Sequence, residues 1–478
     1  MLQKNSCHPA QITGYTSEGM GVAHMEGRAV FVARAIAGER GLVQLLKVTS
    51  ARAYGKWAQL ETPSPHRQTP ACPYFGRCGG CDFWHMDYEE ELRLKADRVR
   101  DALARIGGWD PGPVSILAAP TCEHYRNKAQ YPVTAVDGRP EAGFYRARTH
   151  QLIAVERCRI QSAQADRIRA AVLQWMREQQ VSAYDEATRT GCVRHIFVRT
   201  GMKTGQSLLC LVVNGRSVPR SDLLTDYVLR AEPSVKTVVL NFNARPGNAI
   251  LGETFKPIYG DGTIEDVLCG LTFRLSPRSF YQVNRDQAER LYEAAIAQAQ
   301  LTGREVVLDL YCGTGTITLA MAGAAGRVIG VEIVEQAIAD ARENARRNHI
   351  ENAEFFCADA GQAAQRLAEE GVRPDVITVD PPRKGLHPAV IDAIARMAPR
   401  RVVYISCDPA TLARDVALLA QRGFLPTQAQ AADLFPRCAH VESIVLLTRT
   451  APESKACFEH DCEDSVQPPP RGAGDFSL

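Results

Sequence analysis

The sequence predicts an α/β protein with an amino-terminal β-barrel, a mostly-β central region and a carboxyl-terminal doubly wound sheet. Short alternating strands separated by glycines fill residues 10–60, and strand-like runs dominate residues 113–275. Apolar strands then alternate with amphipathic helices from residue 276 onward, as a sheet covered on both faces requires. The domain boundaries expected from these patterns are 1–66, 67–275 and 276–450, followed by a disordered tail at 451–478.

The composition is that of a globular protein that can bury large cores, with 45% hydrophobic and 23% charged residues among 478. The net charge is only +2, so any nucleic-acid binding must depend on local basic patches. No apolar run reaches membrane-spanning length and no signal-peptide core is present, so we expect a cytoplasmic protein. We separately expect a monomer. Fifteen cysteines in that compartment indicate metal binding or catalysis more than disulfides.

The first 66 residues are rich in basic side chains as well as in short strands and glycine turns. A compact basic barrel of this kind suits an RNA-binding accessory module, although a basic, solvated barrel without a partner fits the same pattern. The stretch GYTSEGMGVAHMEGRAVFVARAIAGE resembles the TRAM domain of RNA-modifying enzymes. The resemblance implies an RNA-binding role.

Three cysteines follow a proline-rich linker, at Cys72, Cys78 and Cys81, with two glycines between the last pair. The glycines allow the backbone to fold tightly around one centre. A fourth ligand is needed, and Cys158 is the candidate. The spacing predicts a metal site but does not separate zinc from iron–sulfur, because thiolates bind both.

The central region begins with an amphipathic helix predicted over residues 87–107 and continues mostly as strands. Arginines and a lysine alternate there with aromatic residues, as a surface for single-stranded RNA would need. An ordinary solvated sheet face explains the same pattern equally well. The basic residues concerned are Arg126, Lys128, Arg146, Arg148 and Arg194.

A glycine-rich loop, residues 311–316, lies between a strand at 306–310 and a helix predicted over 317–324. The next strand ends at Glu332, about 20 residues beyond the loop, where an acid can bind ribose hydroxyls. Such a loop could also serve NAD, but further strands end at Asp359 and Asp380. Together these features resemble the S-adenosylmethionine site of methyltransferases with a Rossmann-like fold.

Cys407 lies between a predicted strand at 401–405 and a helix that Asp408 and Pro409 should start. Unpaired N–H groups and the helix dipole at that place favour a thiolate, although a buried structural cysteine is the alternative. Glu442 lies at the start of a later strand, where it could be simply an exposed acid.

These residue types suit one reaction, the methylation of carbon 5 of uracil. Carbon 5 is a poor nucleophile until a thiolate adds to carbon 6 and generates an enolate. A base must later remove the proton from carbon 5 so that the thiol can leave. The target should be unpaired or flipped out of folded RNA, because a stacked base is inaccessible.

Five motifs along the chain resemble bacterial uracil-5 RNA methyltransferases, in particular the iron–sulfur branch that modifies 23S ribosomal RNA. They are SFYQVN at 279–284, LDLYCGTGT at 308–316, DPPRKG at 380–385, YISCDPATLARD at 404–415 and HVES at 440–443. The resemblance implies Cys407 as nucleophile and Glu442 as base. It also implies S-adenosylmethionine contacts and a 4Fe-4S cluster, with cofactor residues Gln282, Tyr311, Glu332, Asp359 and Asp380 and cluster ligands Cys72, Cys78, Cys81 and Cys158.

The RNA substrate and the reaction class have alternatives. The branch that methylates transfer RNA lacks the cysteine cluster and the TRAM module, so the resemblance favours 23S ribosomal RNA. An adenine amino-methyltransferase could use Asp380-Pro381-Pro382, but it would need an aromatic residue where Arg383 stands and has no use for Cys407. A cytosine-5 enzyme would need a second Pro-Cys motif, and a non-catalytic RNA-binding protein would not need Cys407 with Glu442.

Overall fold

The computed structural model describes residues 2–450, so the tail predicted at 451–478 lies outside the described residues. The amino-terminal part is one six-stranded sheet in the order β1-β5-β6-β4-β3-β2. Alternate residues of its strands, such as Val30, Val32, Val43 and Leu45, are buried in a core of their own. The strands are β1 (Cys7–Gln11), β2 (Gly14–Tyr15), β3 (Gly21–Met25), β4 (Arg28–Ala33), β5 (Arg40–Val48) and β6 (Arg52–Thr62).

The cysteine-rich segment, residues 72–86, contains no helix or extended strand and leads into helix α1 (Tyr88–Arg105). Asp87 begins the helix because its side chain accepts a hydrogen bond from the Glu90 N–H. The helix therefore lies where the sequence predicts it. Its buried face includes Glu91 and Lys95, two charged residues whose partners are described below.

The central sheet has seven strands in the order β10-β9-β8-β11-β12-β13-β14. Two helices, α2 (Ala163–Glu178) and α3 (Ser221–Ala231), pack on one face of this sheet and were not expected from the strand-like pattern. The strands are β8 (Lys128–Val136), β9 (Arg139–Tyr145), β10 (Leu152–Ala154), β11 (Val193–Thr200), β12 (Ser207–Val213), β13 (Val235–Phe242) and β14 (Thr254–Tyr259). A hairpin of β15 (Ile264–Leu268) and β16 (Leu271–Leu275) and helix α4 (Arg285–Ala299) connect it to the third part.

The carboxyl-terminal sheet has eight strands in the order β19-β18-β17-β20-β21-β23-β22-β7. Five strands run parallel, which confirms the doubly wound α/β class: β17 (Val306–Leu310), β18 (Arg327–Glu332), β19 (Ala353–Cys357), β20 (Val376–Val379) and β21 (Arg401–Ser406). The other three are β22 (Phe424–Ala432), β23 (Glu442–Arg449) and β7 (Ser115–Leu117). The helices that alternate with the strands are α5 (Thr316–Ala322), α6 (Glu335–Arg347), α7 (Ala360–Glu369), α8 (Pro388–Met397) and α9 (Pro409–Ala420).

Two buried cores lie on opposite faces of this sheet, one shared with α4, α5 and α6 and the other with α1, α7, α8 and α9. Strand β7 and helix α1 belong to the segment 67–275 in the sequence, yet they complete the carboxyl-terminal sheet and its cover. The segment 67–275 therefore divides between two sheets. None of the described helices combines the length and the apolar character needed to cross a bilayer.

Strand β23 pairs antiparallel with both β21 and β22. The connection from β22 to β23 is short, residues 433–441, and a short connection joins neighbouring strands only in antiparallel order. The start of β23 consequently lies at the same edge of the sheet as the carboxyl ends of the parallel strands. Open α/β sheets bind their ligands at this edge.

Candidate active site

A cavity of about 850 Å³ opens at the carboxyl edge of the parallel strands. It brings together six of the seven residues that the sequence analysis assigned to cofactor binding and catalysis: Gln282, Tyr311, Glu332, Asp380, Cys407 and Glu442. The seventh, Asp359, is not among the residues that line it. Its carboxylate instead caps helix α7 and accepts hydrogen bonds from the N–H groups of Gly361 and Gln362.

The pairing of β21 with β23 places Cys407 next to Glu442. Ser406 pairs with Ser443 across the two antiparallel strands, so residue 407 follows β21 where residue 442 begins β23. Glu442 is only 5% exposed, whereas Cys407 is half-buried and open to the cavity. A thiol and a carboxyl group from strands that are distant in sequence therefore face one enclosed space.

Burial raises the pKa of the Glu442 carboxyl to about 8, and the nearby charge of Asp380 raises it further while Arg383 opposes the shift. Burial likewise raises the pKa of Asp380 to about 7. Carboxyl groups in this range are stronger bases than ordinary glutamates or aspartates and still ionise near neutral pH. Two such groups in one cavity are typical of acid–base chemistry.

The expectation that helix α9 would stabilise a Cys407 thiolate is wrong. Asp408 caps the helix as predicted, and its carboxylate accepts the N–H groups of Ala410 and Thr411, each at 3.0 Å. Burial, together with the charges of Glu442 and Asp380, raises the pKa of the Cys407 thiol, and Arg383 only partly compensates. The surroundings of Cys407 in the cavity therefore disfavour the thiolate instead of stabilising it.

The loop after β17 has the backbone geometry of a ligand-binding turn. Tyr311 adopts a left-handed conformation with φ of 72°, which is uncommon for a residue with a side chain. Gly315, with φ of 81°, approaches helix α6 so closely that a Cβ there would lie 3.1 Å from the Ala341 side chain. Glu332 accepts the Gly313 N–H at 3.2 Å and thus fixes this turn against the end of β18.

The cavity wall beside Glu332 is apolar. Ile333 and Val334 are 64% and 52% exposed, unusual for large aliphatic residues, and both line the cavity. An acid next to exposed aliphatic side chains matches a nucleoside, whose ribose is polar and whose base is flat and largely apolar. Glu332, Ile333 and Val334 therefore fit an adenosine cofactor.

Several residues of the cavity were not assigned to it from the sequence. Arg383 lies with its Nη2 atom 3.1 Å from His440 Nδ1, and Lys128 reaches the cavity from strand β8 of the central sheet. Burial beside Arg199 and Arg126 lowers the pKa of Lys128 to about 8. The DPPRKG motif could have indicated Arg383, but nothing local in the sequence links Lys128 to this sheet.

The four cysteines predicted to hold a metal, Cys72, Cys78, Cys81 and Cys158, line a separate cavity of about 190 Å³. Among residues 2–450 no group of three or more cysteine, histidine or acidic side chains converges as the ligands of one metal ion. A single-ion site is therefore not formed. A cluster of several irons takes one thiolate per iron and needs its sulfurs further apart, so four thiols around a shared cavity still fit such a group.

Comparisons with known proteins agree with this geometry. The sequence model of the family described as tRNA (Uracil-5-)-methyltransferase matches residues 268–450. An uncharacterized RNA methyltransferase of Clostridium tetani is 40% identical over 447 residues, covering 94% of this chain and 97% of the relative. An uncharacterized RNA methyltransferase of Halalkalibacterium halodurans is 40% identical over 451 residues, covering 93% of this chain and 98% of the relative.

A solved structure shares the fold across most of the chain. It is the tRNA (uracil-54, C5)-methyltransferase of Pyrococcus abyssi in complex with S-adenosyl-L-homocysteine, with a TM-score of 0.74 and 24% identity. The similarity covers 92% of this chain and 100% of that one. The extended sequence identity to the curated relatives shows that the chain belongs to their family of RNA methyltransferases, and its residues 268–450 match the (uracil-5-)-methyltransferase model within it.

Proposed function

We propose that this protein transfers a methyl group from S-adenosylmethionine to carbon 5 of a uridine in 23S ribosomal RNA. The observation that carries the proposal is the convergence of Cys407, Glu442 and a nucleoside-type pocket in one cavity. A thiol beside a carboxyl group of raised pKa is the pair of groups that addition to carbon 6 and removal of the carbon 5 proton require.

Cys407 starts the reaction by adding its sulfur to carbon 6 of the uracil. Its proton leaves to a carboxylate of the cavity or to water, and the electron pair of the carbon 5–carbon 6 bond moves toward oxygen 4. Lys128 and Arg383 supply positive charge in the cavity where this enolate develops. Carbon 5 thereby becomes nucleophilic while the base stays covalently bound to the chain.

Glu442 completes the reaction after the methyl group has joined carbon 5. Its ionised carboxylate takes the proton from carbon 5, the carbon 5–carbon 6 double bond re-forms and the sulfur of Cys407 leaves. The net change is one methyl group gained and one proton lost by the uracil. A carboxylate with a pKa of about 8 accepts this proton more readily than an ordinary glutamate does.

S-adenosylmethionine supplies an electrophilic methyl group on its sulfonium when it is bound. In the chain, Glu332 would hold the ribose hydroxyls, and Ile333 with Val334 would contact the adenine. Gln282, Tyr311 and Asp380 line the same cavity and would orient the remainder of the cofactor. Asp359 caps a helix and has no direct role in this scheme.

The RNA would reach Cys407 through a second groove of about 850 Å³ that shares Cys407, Arg383 and His440 with the catalytic cavity. It runs between the amino-terminal sheet, the cysteine-rich segment and the central sheet. Arginines from all three of these parts line the groove: Arg34, Arg77, Arg146 and Arg148. Positive charge on several modules suits a folded phosphate backbone and gives the TRAM-like sheet a role in docking.

Transfer RNA is the second candidate substrate. The family description and the solved Pyrococcus abyssi protein are both named for transfer RNA. Because that protein has the same fold over 92% of this chain, the modular architecture by itself does not favour ribosomal over transfer RNA. The four-cysteine cavity is the feature that favours 23S ribosomal RNA, through the resemblance to the iron–sulfur branch.

The reaction class is tested by following the hydrogen on carbon 5. Purified protein with S-adenosylmethionine should release tritium from RNA that contains [5-³H]uridine, one tritium for each methyl group incorporated. Methylation of an adenine amino group would incorporate methyl groups without any tritium release. Parallel reactions with unmodified 23S ribosomal RNA and unmodified transfer RNA, followed by mapping of 5-methyluridine, then identify the substrate.

We further propose that Cys72, Cys78, Cys81 and Cys158 hold a 4Fe-4S cluster. Protein purified without oxygen should contain about four irons and four acid-labile sulfides per chain. The variant Cys78→Ser should contain less of both, whereas Cys7→Ser, which changes an exposed cysteine of strand β1, should keep them. Zinc in place of iron, or an unchanged iron content in Cys78→Ser, would contradict the assignment.

A further inference from the structure

The connection between β22 and β23, residues 433–441, contributes residues to the catalytic cavity. Most of the hydrogen bonds that fix it come from other parts of the chain. Phe435 and His440 line the cavity, and the connection ends directly at Glu442. Most of its hydrogen bonds reach helix α1 and the cysteine-rich segment, which precede it by more than 300 residues.

Lys95 is the centre of the contact with helix α1. It is fully buried, and its Nζ atom donates to Asp433 Oδ1 at 2.7 Å, to the Phe435 carbonyl at 3.2 Å and to Glu91 Oε1 at 2.7 Å. Glu91 in turn accepts the backbone N–H of Arg437 at 2.7 Å. One lysine therefore fixes both ends of a five-residue stretch of the connection.

The cysteine-rich segment holds the other side of the connection. The N–H groups of Asp82 and Phe83 donate to the Arg437 carbonyl at 2.7 and 3.1 Å, and the Ala439 N–H donates to Asp82 Oδ2 at 2.8 Å. The Cys438 thiol donates to the Gly80 carbonyl at 3.3 Å and lies next to the Cys81 thiol. Cys81, one of the four cysteines around the 190 Å³ cavity, is thus in contact with this connection.

A lysine buried between two carboxylates is poorly explained by stability alone. Its removal from water costs free energy that ion pairing only partly returns, and a well-packed apolar residue often stabilises a core as well. What such a network supplies is a single arrangement of its partners, since every hydrogen bond must be satisfied at once. Here the partners are the backbone and side chains next to Glu442.

We propose that Lys95 is a positioning residue for Glu442, acting through Asp433, Phe435 and Glu91 to hold the 433–441 connection in place, with Asp82 as a second anchor. This inference rests on the proposed function of Glu442 as the base. Cys407 and the cofactor loop follow β21 and β17, and none of the hydrogen bonds of Lys95 or Asp82 described above reaches them. Loss of Lys95 should therefore slow removal of the carbon 5 proton while addition of the thiol and cofactor binding persist.

The variant Lys95→Met, which keeps the length and the apolar stem of the side chain, tests the proposal. We expect kcat to fall about tenfold or more with KM for S-adenosylmethionine within about twofold of wild type. A methylated, denaturation-resistant protein–RNA adduct should accumulate during turnover, and amides of 433–441 should exchange with deuterium faster. The control Arg105→Met removes a surface ion pair at the end of the same helix and should change none of these readouts.

The variant Asp82→Ala covers the case in which Lys95→Met fails to fold, because it removes one anchor without breaking a hydrogen bond of Lys95, Glu91 or Asp433. It should give the same faster exchange and the same adduct to a smaller extent. Wild-type turnover with no adduct and no faster exchange in either folded variant overturns the role of Lys95. Absence of tritium release by the wild-type protein would instead overturn the proposed function, so the two failures are distinct.

Discussion

Replacement of Cys407 by alanine is expected to lower the methylation rate by roughly 10⁴-fold or more, since Cys407 is the only thiol among the described residues that line the cavity. The cofactor pocket is built from β17, β18 and their loops, so affinity for S-adenosylmethionine should stay within about twofold. Single-turnover methyl transfer to RNA and calorimetric titration of the cofactor measure the two quantities.

The same variant decides whether the bond to carbon 6 forms at all. RNA with 5-fluorouridine at the target should trap the wild-type protein as a stable methylated adduct, because fluorine does not leave as a proton. Cys407→Ala should form no adduct, and Cys7→Ala, which removes an exposed thiol that does not line the cavity, should trap like wild type. Full methylation by Cys407→Ala would refute covalent catalysis.

Much of the carboxyl-terminal fold can be predicted from the sequence because its signals are local. Strand β17, its glycine loop and the Asp408-Pro409 start of helix α9 are each marked by neighbouring residues, and the structure has them where expected. The three residues of β7 carry no such signal, and they join the sheet through pairing with residues 430–432. Their placement depends on contacts more than 300 residues apart.

The site, like the fold, could be predicted from the sequence only in part. Residue identities indicated Cys407 and Glu442, but the charge environment of the thiol depends on Asp380 and Glu442 from other strands. That is why a helix amino terminus alone predicted the wrong direction for the pKa of Cys407. The Lys95 network could not be predicted for a similar reason, because its partner Asp433 is distant in sequence. A lysine on a charged helix is ordinarily solvated.

The substitution Glu442→Gln is expected to stop the reaction after methyl transfer. Glutamine keeps the size and polarity of the side chain but cannot accept the proton from carbon 5, so turnover should fall about 10²- to 10⁴-fold. Ordinary, unfluorinated RNA should then accumulate as a methylated covalent adduct that survives denaturation. The control Glu89→Gln, on an exposed position of helix α1, should turn over without adduct. Rapid release of product by Glu442→Gln would remove Glu442 from the role of base.

The pH dependence separates Glu442 from the other carboxyl group of the cavity. Only the ionised carboxylate can accept a proton, so the breakdown of the methylated adduct, a step that follows thiol addition, should speed up with pH and level off above about 8, the raised pKa of Glu442. The charge of Asp380 contributes to that shift, and Asp380→Asn should therefore move the rising limb to lower pH even where it lowers the rate. An Asp380→Asn variant that accumulates the adduct, with its rising limb unmoved, would identify Asp380 as the base instead. Loss of the base leaves a methylated adduct, whereas loss of the neighbouring carboxyl group shifts the pH profile. The adduct and the pH profile together therefore show which of the two carboxylates accepts the proton from carbon 5.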